Sequence, residues 1–237
     1  MSIVVAARSD KEVWIGCDSQ ATEENDLATS LEEPKFCFWA STAVGWALSI
    51  RAQRVLELTA RCFPDGLHDR ETVYAFVEQF RGTAWELQLP TAPVNSGATH
   101  AVNLLVAAPE FLAVVFADYS VVWNERFAVI GAPIAAAGAY GVHSTQGAAW
   151  RPKDLVRQAL AAAVAHSSNC GAPCYMLRVH PQPLLFRLDT TTSSFQQRDV
   201  PLALLALSIA TLRETEVTEI EGKEQEHGVH HNEGGNG

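Results

Sequence analysis

The chain has 237 residues, nearly half of them apolar, a length and composition that suit one large domain or at most two small ones around a sizeable core. Its formal net charge of −10 is concentrated at one end: from Glu214 onward lie seven of the 27 acidic residues and one of the 17 basic ones, so the body carries only about −4 and lacks the basic surface that nucleic acid selects. No run of eighteen or more apolar residues occurs, and no basic region followed by an apolar core opens the chain, so neither a membrane span nor a secretory signal is expected.

The opening residues read as a hairpin. Ser2 is followed at once by the apolar run Ile3-Val4-Val5, Ser9 to Glu12 make a polar turn, and Val13-Trp14-Ile15 leads into Gly16-Cys17-Asp18. Such a hairpin brings Ser2 and Asp18 to the same edge. A polar, acidic loop over 21–34 follows, then a short strand over 35–38, a turn at 39–42 and a strand over 43–47. From Leu48 the spacing of Leu48, Ala52, Val55, Leu56 and Leu58 predicts a helix that Pro64-Asp65-Gly66 ends. Asp69 is placed to cap a second helix, whose apolar face is Val73, Phe76, Val77, Phe80 and Trp85 and which Pro90 stops. Segments 101–108 and 111–117 read as a buried hairpin, with further short strands at 120–123 and 127–130. An Ala-rich helix is expected over 133–140 and another from Pro152, at a first-turn position where proline fits. Segments 174–179 and 184–188 read as the last two strands, and 200–213 as a final helix.

Strands, two helices, strands, two helices, strands: this order predicts an α+β fold, two stacked antiparallel sheets covered by helices on both outer faces, hence a four-layer αββα sandwich. One domain is expected over 2–213. The acidic tail over 214–237, with too few apolar residues to pack, is expected to be disordered beyond about Glu221, and its His227, His230 and His231 suit a flexible tail better than a metal site. Four of the five cysteines lie in apolar stretches, as buried free thiols do, which favours a reducing cytoplasm.

Ser2 has two readings. It is either an ordinary N-terminal residue or, once the start methionine is trimmed, a hydroxyl nucleophile with a free α-amine as its own base. An α-amine has a reference pKa of roughly 7.7–8.0, close to what a general base at neutral pH requires. Taken singly, Asp18 could cap a turn and Lys35 could be a solvated strand-end lysine. Cys170 and Cys174 make only half of a zinc-site spacing. His100, His143 and His166 have no partner pattern, and Gly138 to Gly141 fall in a helix rather than after a strand, which argues against a phosphate loop. No metal and no cofactor is expected.

Ser2-Ile-Val-Val followed by Ile15-Gly-Cys-Asp18-Ser-Gln-Ala-Thr22 resembles the start of the proteasome β-subunits and of the HslV peptidase, members of the proteasome-like N-terminal-nucleophile family. Spacing from Ser2 puts Asp18 where the family has its aspartate, and Lys35 matches its catalytic lysine with about one residue of insertion. Ala43-Val-Gly45-Trp-Ala-Leu-Ser49 resembles the family's strand-to-helix turn, and Val129-Ile-Gly131 its later Ile-Gly-Ser-Gly segment. The resemblance implies the N-terminal-nucleophile form of the sandwich and a self-compartmentalising peptidase with catalytic Ser2, Asp18 and Lys35. It further implies a groove and oxyanion donor around Gly45, Ala47 and Leu48, and auxiliary groups among Ser167, Asn169 and Cys170. The expected partners are copies of the chain in stacked hexameric or heptameric rings, an AAA+ ATPase unfoldase, and peptide or unfolded protein. Trp39, Trp46 and Trp150 are expected on the apolar contact surfaces.

The chain also departs from the family's pattern. Serine replaces threonine at position 2, Leu48 stands where a glycine is expected, Ala132 replaces a serine, and 167–171 lacks the usual acid. These changes point to a divergent bacterial branch, such as the betaproteobacterial proteasome homologue or the Anbu-type relatives, and to a catalytically weak ring that binds peptides or acts as a scaffold as the alternative.

Overall fold

The structure is a computed structural model, and it describes residues 2–22, 28–31, 33–47, 51–89, 91–92, 99–100, 102–146, 150–168, 170–190 and 195–200. Strands β1 (Ile3–Arg8) and β2 (Val13–Asp18) form the expected hairpin. The segment expected to be a plain acidic loop contains a small ladder, β3 (Gln20–Thr22) with β4 (Ala28–Ser30). Next come β5 (Phe36–Trp39), β6 (Thr42–Ala47) and the helices α1 (Ala52–Ala60) and α2 (Arg70–Glu86). Leu48 lies outside the described residues, so α1 is observed only from Ala52. The short pair β7 (Thr91–Ala92) and β8 (Thr99–His100) leads into β9 (Asn103–Ala107), β10 (Leu112–Val115), β11 (Val121–Asn124) and β12 (Phe127–Gly131). Helices α3 (Pro133–Gln146) and α4 (Pro152–His166) precede β13 (Cys174–His180), β14 (Leu184–Thr190) and β15 (Phe195–Val200).

Two antiparallel sheets carry the fold: a six-stranded one in the order β12-β1-β2-β13-β14-β15 and a five-stranded one in the order β11-β10-β9-β6-β5. Three apolar clusters account for their packing. One, with Val4, Ile15, Phe36, Leu105 and Leu177, takes residues from both sheets and lies between them. A second joins the five-stranded sheet to α1 and α2 through Trp46, Leu56, Phe76 and Phe80. The third joins the six-stranded sheet to α3 and α4 through Ile3, Trp14, Ala135, Leu160 and Met176.

Strand β15 corrects the expectation that β14 is the last strand. Its sequence, Phe-Gln-Gln-Arg-Asp-Val, carries no hydrophobic alternation, and among the described residues it sits at the sheet edge and pairs only with β14. Val200 ends this strand rather than opening a helix; 201–213 and the acidic tail lie outside the described residues. Trp39 and Trp46 are buried within the chain, so they offer no contact surface; the exposed large apolar residues include Trp85, Ile134, Tyr140 and Val122. The Asp69 cap is as expected: its carboxylate accepts the Thr72 N–H at 2.7 Å while the Thr72 hydroxyl accepts the Asp69 N–H at 3.1 Å. Among the described residues, no helix is long and apolar enough to cross a membrane.

The β5–β6 hairpin positions Lys35 and turns through two non-glycine residues with positive φ, Ala40 (41°) and Ser41 (67°). Positive φ at both central positions is the type I′ form of a two-residue hairpin loop, and most residues other than glycine are strained in it. The strain of about 1–2 kcal/mol per residue outweighs the roughly 0.4–1 kcal/mol that glycine loses through the unfolded state. Ser41→Gly should therefore raise stability by about 0.5 kcal/mol, seen as a higher urea midpoint; an unchanged or lower midpoint contradicts the account.

Candidate active site

The hairpin register brings the start of β1 beside the end of β2, where Asp18 is completely buried. One carboxylate oxygen, Oδ1, accepts the Ile3 N–H at 3.0 Å and the Lys35 ammonium at 3.0 Å. The other, Oδ2, accepts the N–H groups of Gln20 at 3.2 Å and Gly171 at 3.4 Å. Ile3 directly follows Ser2, itself only 5% exposed, so the ammonium and the Ser2–Ile3 peptide share a single oxygen. Lys35, 3% exposed, is not a solvated strand-end residue. Its Nζ also donates to the Gln20 carbonyl, its N–H donates to Cys17 Sγ at 3.2 Å, and its carbonyl accepts the Trp46 N–H at 3.1 Å. Asp18 is thus no mere turn cap.

Ser2 is held from the opposite side by β12. Gly131 pairs with Ile3 across the ladder, and the N–H of Ala132 donates to the Ser2 carbonyl at 2.9 Å. None of these backbone partners was foreseen from the sequence. The signal for Gly131 was its place at the end of an apolar strand immediately before a proline-led helix.

The other expected residues divide. Gly45 is buried between the sheets, where an added Cβ would lie 3.3 Å from Ile15 and 3.4 Å from the Lys35 carbonyl and would overlap Val4. It allows close approach of β1 and β2 to β6. Ala47 is fully buried in the same inter-sheet cluster. Ser167 caps α4, is buried, and accepts the Cys170 N–H at 3.3 Å on its carbonyl. Its side chain hydrogen-bonds the Cys170 thiol. Asn169 and Leu48 lie outside the described residues. The Ser167–Gly171 loop is fastened to the end of β2 by Gln20, whose Nε2 donates to the Ser168 carbonyl at 3.1 Å.

Burial pushes the Asp18 carboxyl above the ordinary aspartate range, and Lys35 first, then the Ile3 N–H, pull in the other direction. The Cys170 thiol is pushed up to about 12, by burial and then by the Asp18 charge, and Cys17 to about 12, by burial foremost. Both therefore stay neutral thiols at physiological pH, a state unsuited to nucleophilic work. Cys174, the ladder partner of Asp18, is buried as well. Among the described residues, no group of three or more His, Cys, Asp and Glu side chains could hold a metal ion. A cleft of about 720 Å³ opens at the far end of β1, around Arg8, Arg126, His143 and Trp150, and so lies away from Ser2.

The described residues form two main antiparallel sheets and four helices, an α+β fold that matches solved structures of proteasome-like proteins. Thiobacillus denitrificans BPH, a bacterial proteasome homologue, matches with a TM-score of 0.61 at 18% identity over 76% of this chain and 100% of its own; it has also been solved in complex with epoxomicin. Anbu from Pseudomonas aeruginosa, described as a helical assembly, matches with a TM-score of 0.59 at 11% identity, over 94% of this chain and 96% of its own. HslV from Trypanosoma brucei gives 0.54 at 16% identity, over 74% and 98%. The likeness is one of fold. No protein-family model matches the chain, and the comparison of its sequence with curated proteins gave no match.

The buried pair makes a stability prediction. Removing one partner of a buried ion pair costs about 3–5 kcal/mol, because the other charge is left uncompensated. Lys35→Met should therefore destabilise the fold by about that amount and remove the largest of the effects that hold the Asp18 pKa down against burial. An acid whose pKa is higher in the folded than in the unfolded state contributes stability at low pH that is lost as pH rises through the folded value. The gap between wild type and Lys35→Met should accordingly widen as pH rises above the ordinary aspartate range in urea unfolding. A gap independent of pH would mean Asp18 is not the charge left behind.

Proposed function

We propose that this chain is a proteasome-like peptidase with the four-layer αββα sandwich of the N-terminal-nucleophile hydrolases over 2–213, in which mature Ser2 is the nucleophile. The observation that carries the reading is the shared Oδ1 of Asp18, which ties the buried Lys35 ammonium to the peptide next to Ser2. A lysine buried this deeply has little structural reason to sit there, since a hydrophobic replacement of such a pair is often neutral or stabilising.

In the proposed reaction, Ser2 Oγ attacks the carbonyl carbon of a peptide bond as its proton passes to the Ser2 α-amine. The tetrahedral oxyanion is met by a backbone N–H at Ala47 or Leu48. Collapse breaks the C–N bond, the leaving nitrogen takes the proton from the α-ammonium, and the acyl group remains on Ser2 as an ester. Water then attacks the ester, gives its proton to the amine, and restores the Ser2 hydroxyl. The Lys35 charge disfavours protonation of the amine between steps and stabilises negative charge developing at Oγ. Asp18 keeps that ammonium in place and compensated.

The proposed assembly is a homo-oligomer of closed rings that encloses these sites and takes peptide or unfolded protein, with an ATPase unfoldase as a partner. A second reading is favoured by two features: burial pushes the Cys170 thiol up, away from any charge, and Ala132 lacks a hydroxyl, so the amine has weaker support than in the family's usual pattern. A ring of that kind would bind peptides without cleaving them.

Labelling separates the two. Processed wild type treated with epoxomicin should gain the reagent's mass at Ser2, Ser2→Ala should gain none, and Lys35→Ala should react roughly 10²–10³ times more slowly while still assembled. Processed wild type that stays unlabelled removes the peptidase reading and leaves the binding ring. A Lys35→Ala that labels at the wild-type rate removes the lysine from the mechanism.

A further inference from the structure

We infer that Gly131 is a positioning residue for Ser2, because the glycine and the Ala132 N–H beside it fix where the carbonyl of the nucleophilic residue sits. The inference rests on the peptidase reading above. Gly131 has φ 129°, the left-handed half of the map that favours glycine. An added Cβ there would overlap the Ser2 carbonyl oxygen and lie 2.8 Å from Ile3 Cα and 2.9 Å from the Ser2 carbonyl carbon. All three neighbours are backbone, so no flexible side chain can give way. The whole Ser2–Ile3 peptide would have to move.

That peptide has no slack. Its C=O accepts from Ala132, directly after β12, at 2.9 Å, and its N–H, on Ile3, donates to Asp18 on β2 at 3.0 Å. The plane is gripped at both ends, from the ends of two different strands, and Ser2 Cα is bonded directly to it. Displacing the plane swings both groups of the proposed chemistry, the Oγ and the α-amine, together. It also strains the Asp18 oxygen that Lys35 shares. Packing alone would ask only for a small residue at 131. The left-handed φ and the backbone-only overlap ask for the absence of any side chain, at the one ladder position that faces the residue after the nucleophile.

The test compares two strained glycines. Gly66 has φ 80°, and an added Cβ would lie 2.6 Å from the Ala40 carbonyl oxygen, at the turn end of the β5–β6 hairpin and away from Lys35. Gly131→Ala and Gly66→Ala should both lower the urea midpoint. With epoxomicin as the probe, Gly131→Ala should lose about 100-fold in the labelling rate at saturating reagent, the scale of an ångström-sized misplacement. The half-saturating concentration should stay unchanged, because the groove that binds the reagent is intact. Gly66→Ala should label at the wild-type rate. A Gly131→Ala protein that labels as wild type does, or a Gly66→Ala protein that loses rate in the same proportion, overturns the inference. If Gly131→Ala does not fold, an ester in place of the 131–132 amide removes the Ala132 donor without adding bulk. It should slow labelling about 10-fold, the loss of one hydrogen bond of about 1.4 kcal/mol, and an unchanged rate overturns the inference. An unlabelled wild type overturns the peptidase reading and this inference with it.

Discussion

A carboxylate and an ammonium buried together between two sheets constrain much else in this molecule. Asp18 ends a strand of the six-stranded sheet and Lys35 leads into a strand of the five-stranded one, so their 3.0 Å contact crosses from one sheet to the other. Neither charge could remain there alone. The Asp18 oxygens accept from three backbone N–H groups and Lys35, and Lys35 in turn reaches the Gln20 carbonyl. The β1–β2 register, the Ser167–Gly171 loop and the approach to β5 must all be right at once for that accounting to close. A one-residue slip of β2 would turn Asp18 to the opposite face and strand the ammonium.

This dependence explains the character of the surrounding positions. Gly45 has no side chain because β1 passes over it, where an added Cβ would overlap Val4. Cys17 accepts the Lys35 N–H while the rest of it packs between the sheets. Small and sulfur-bearing residues gather there because the backbone, more than side chains, supplies the hydrogen bonds. The same economy is seen at Ser2, whose carbonyl and following N–H are both satisfied by neighbouring strands.

How legible each part was in the sequence follows from what leaves a trace there. The β1–β2 hairpin, both large helical pairs and the β9–β10 hairpin were readable because one or both faces are buried, and burial writes itself as apolar periodicity. Strand β15 was not, because an edge strand with the composition Phe-Gln-Gln-Arg-Asp-Val has no alternation to detect. The β3–β4 ladder hid in an acidic segment for the same reason. The tryptophans misled in the other direction: size and apolarity mark Trp39 and Trp46 as buried somewhere, and only the three-dimensional packing says that the partner is α1 and α2 rather than another copy. At the site, Ser2, Asp18 and Lys35 were legible as side chains at a recognisable spacing. The N–H groups of Ile3, Gly171 and Ala132 were not, since every residue but proline has one and only the register decides which are used.

Serine at position 2 deserves weighing against these backbone constraints. Threonine's methyl group narrows χ1, and serine gives that restriction up. With three staggered wells equally open, the penalty is RT ln 3, about 0.65 kcal/mol or threefold in rate. Loss of an electrostatic contact at such a site costs roughly 10²–10³, and an ångström-scale misplacement about 10². The rotamer effect is therefore the smallest of the three. The clamp on the Ser2–Ile3 peptide fixes the Cα–Cβ bond direction whichever residue stands at position 2, leaving one torsion to be settled by the substrate. On the proposed mechanism, then, the chain's competence is decided by whether the Asp18–Lys35 pair and the β12 backbone hold their places, and the serine by itself says little against it.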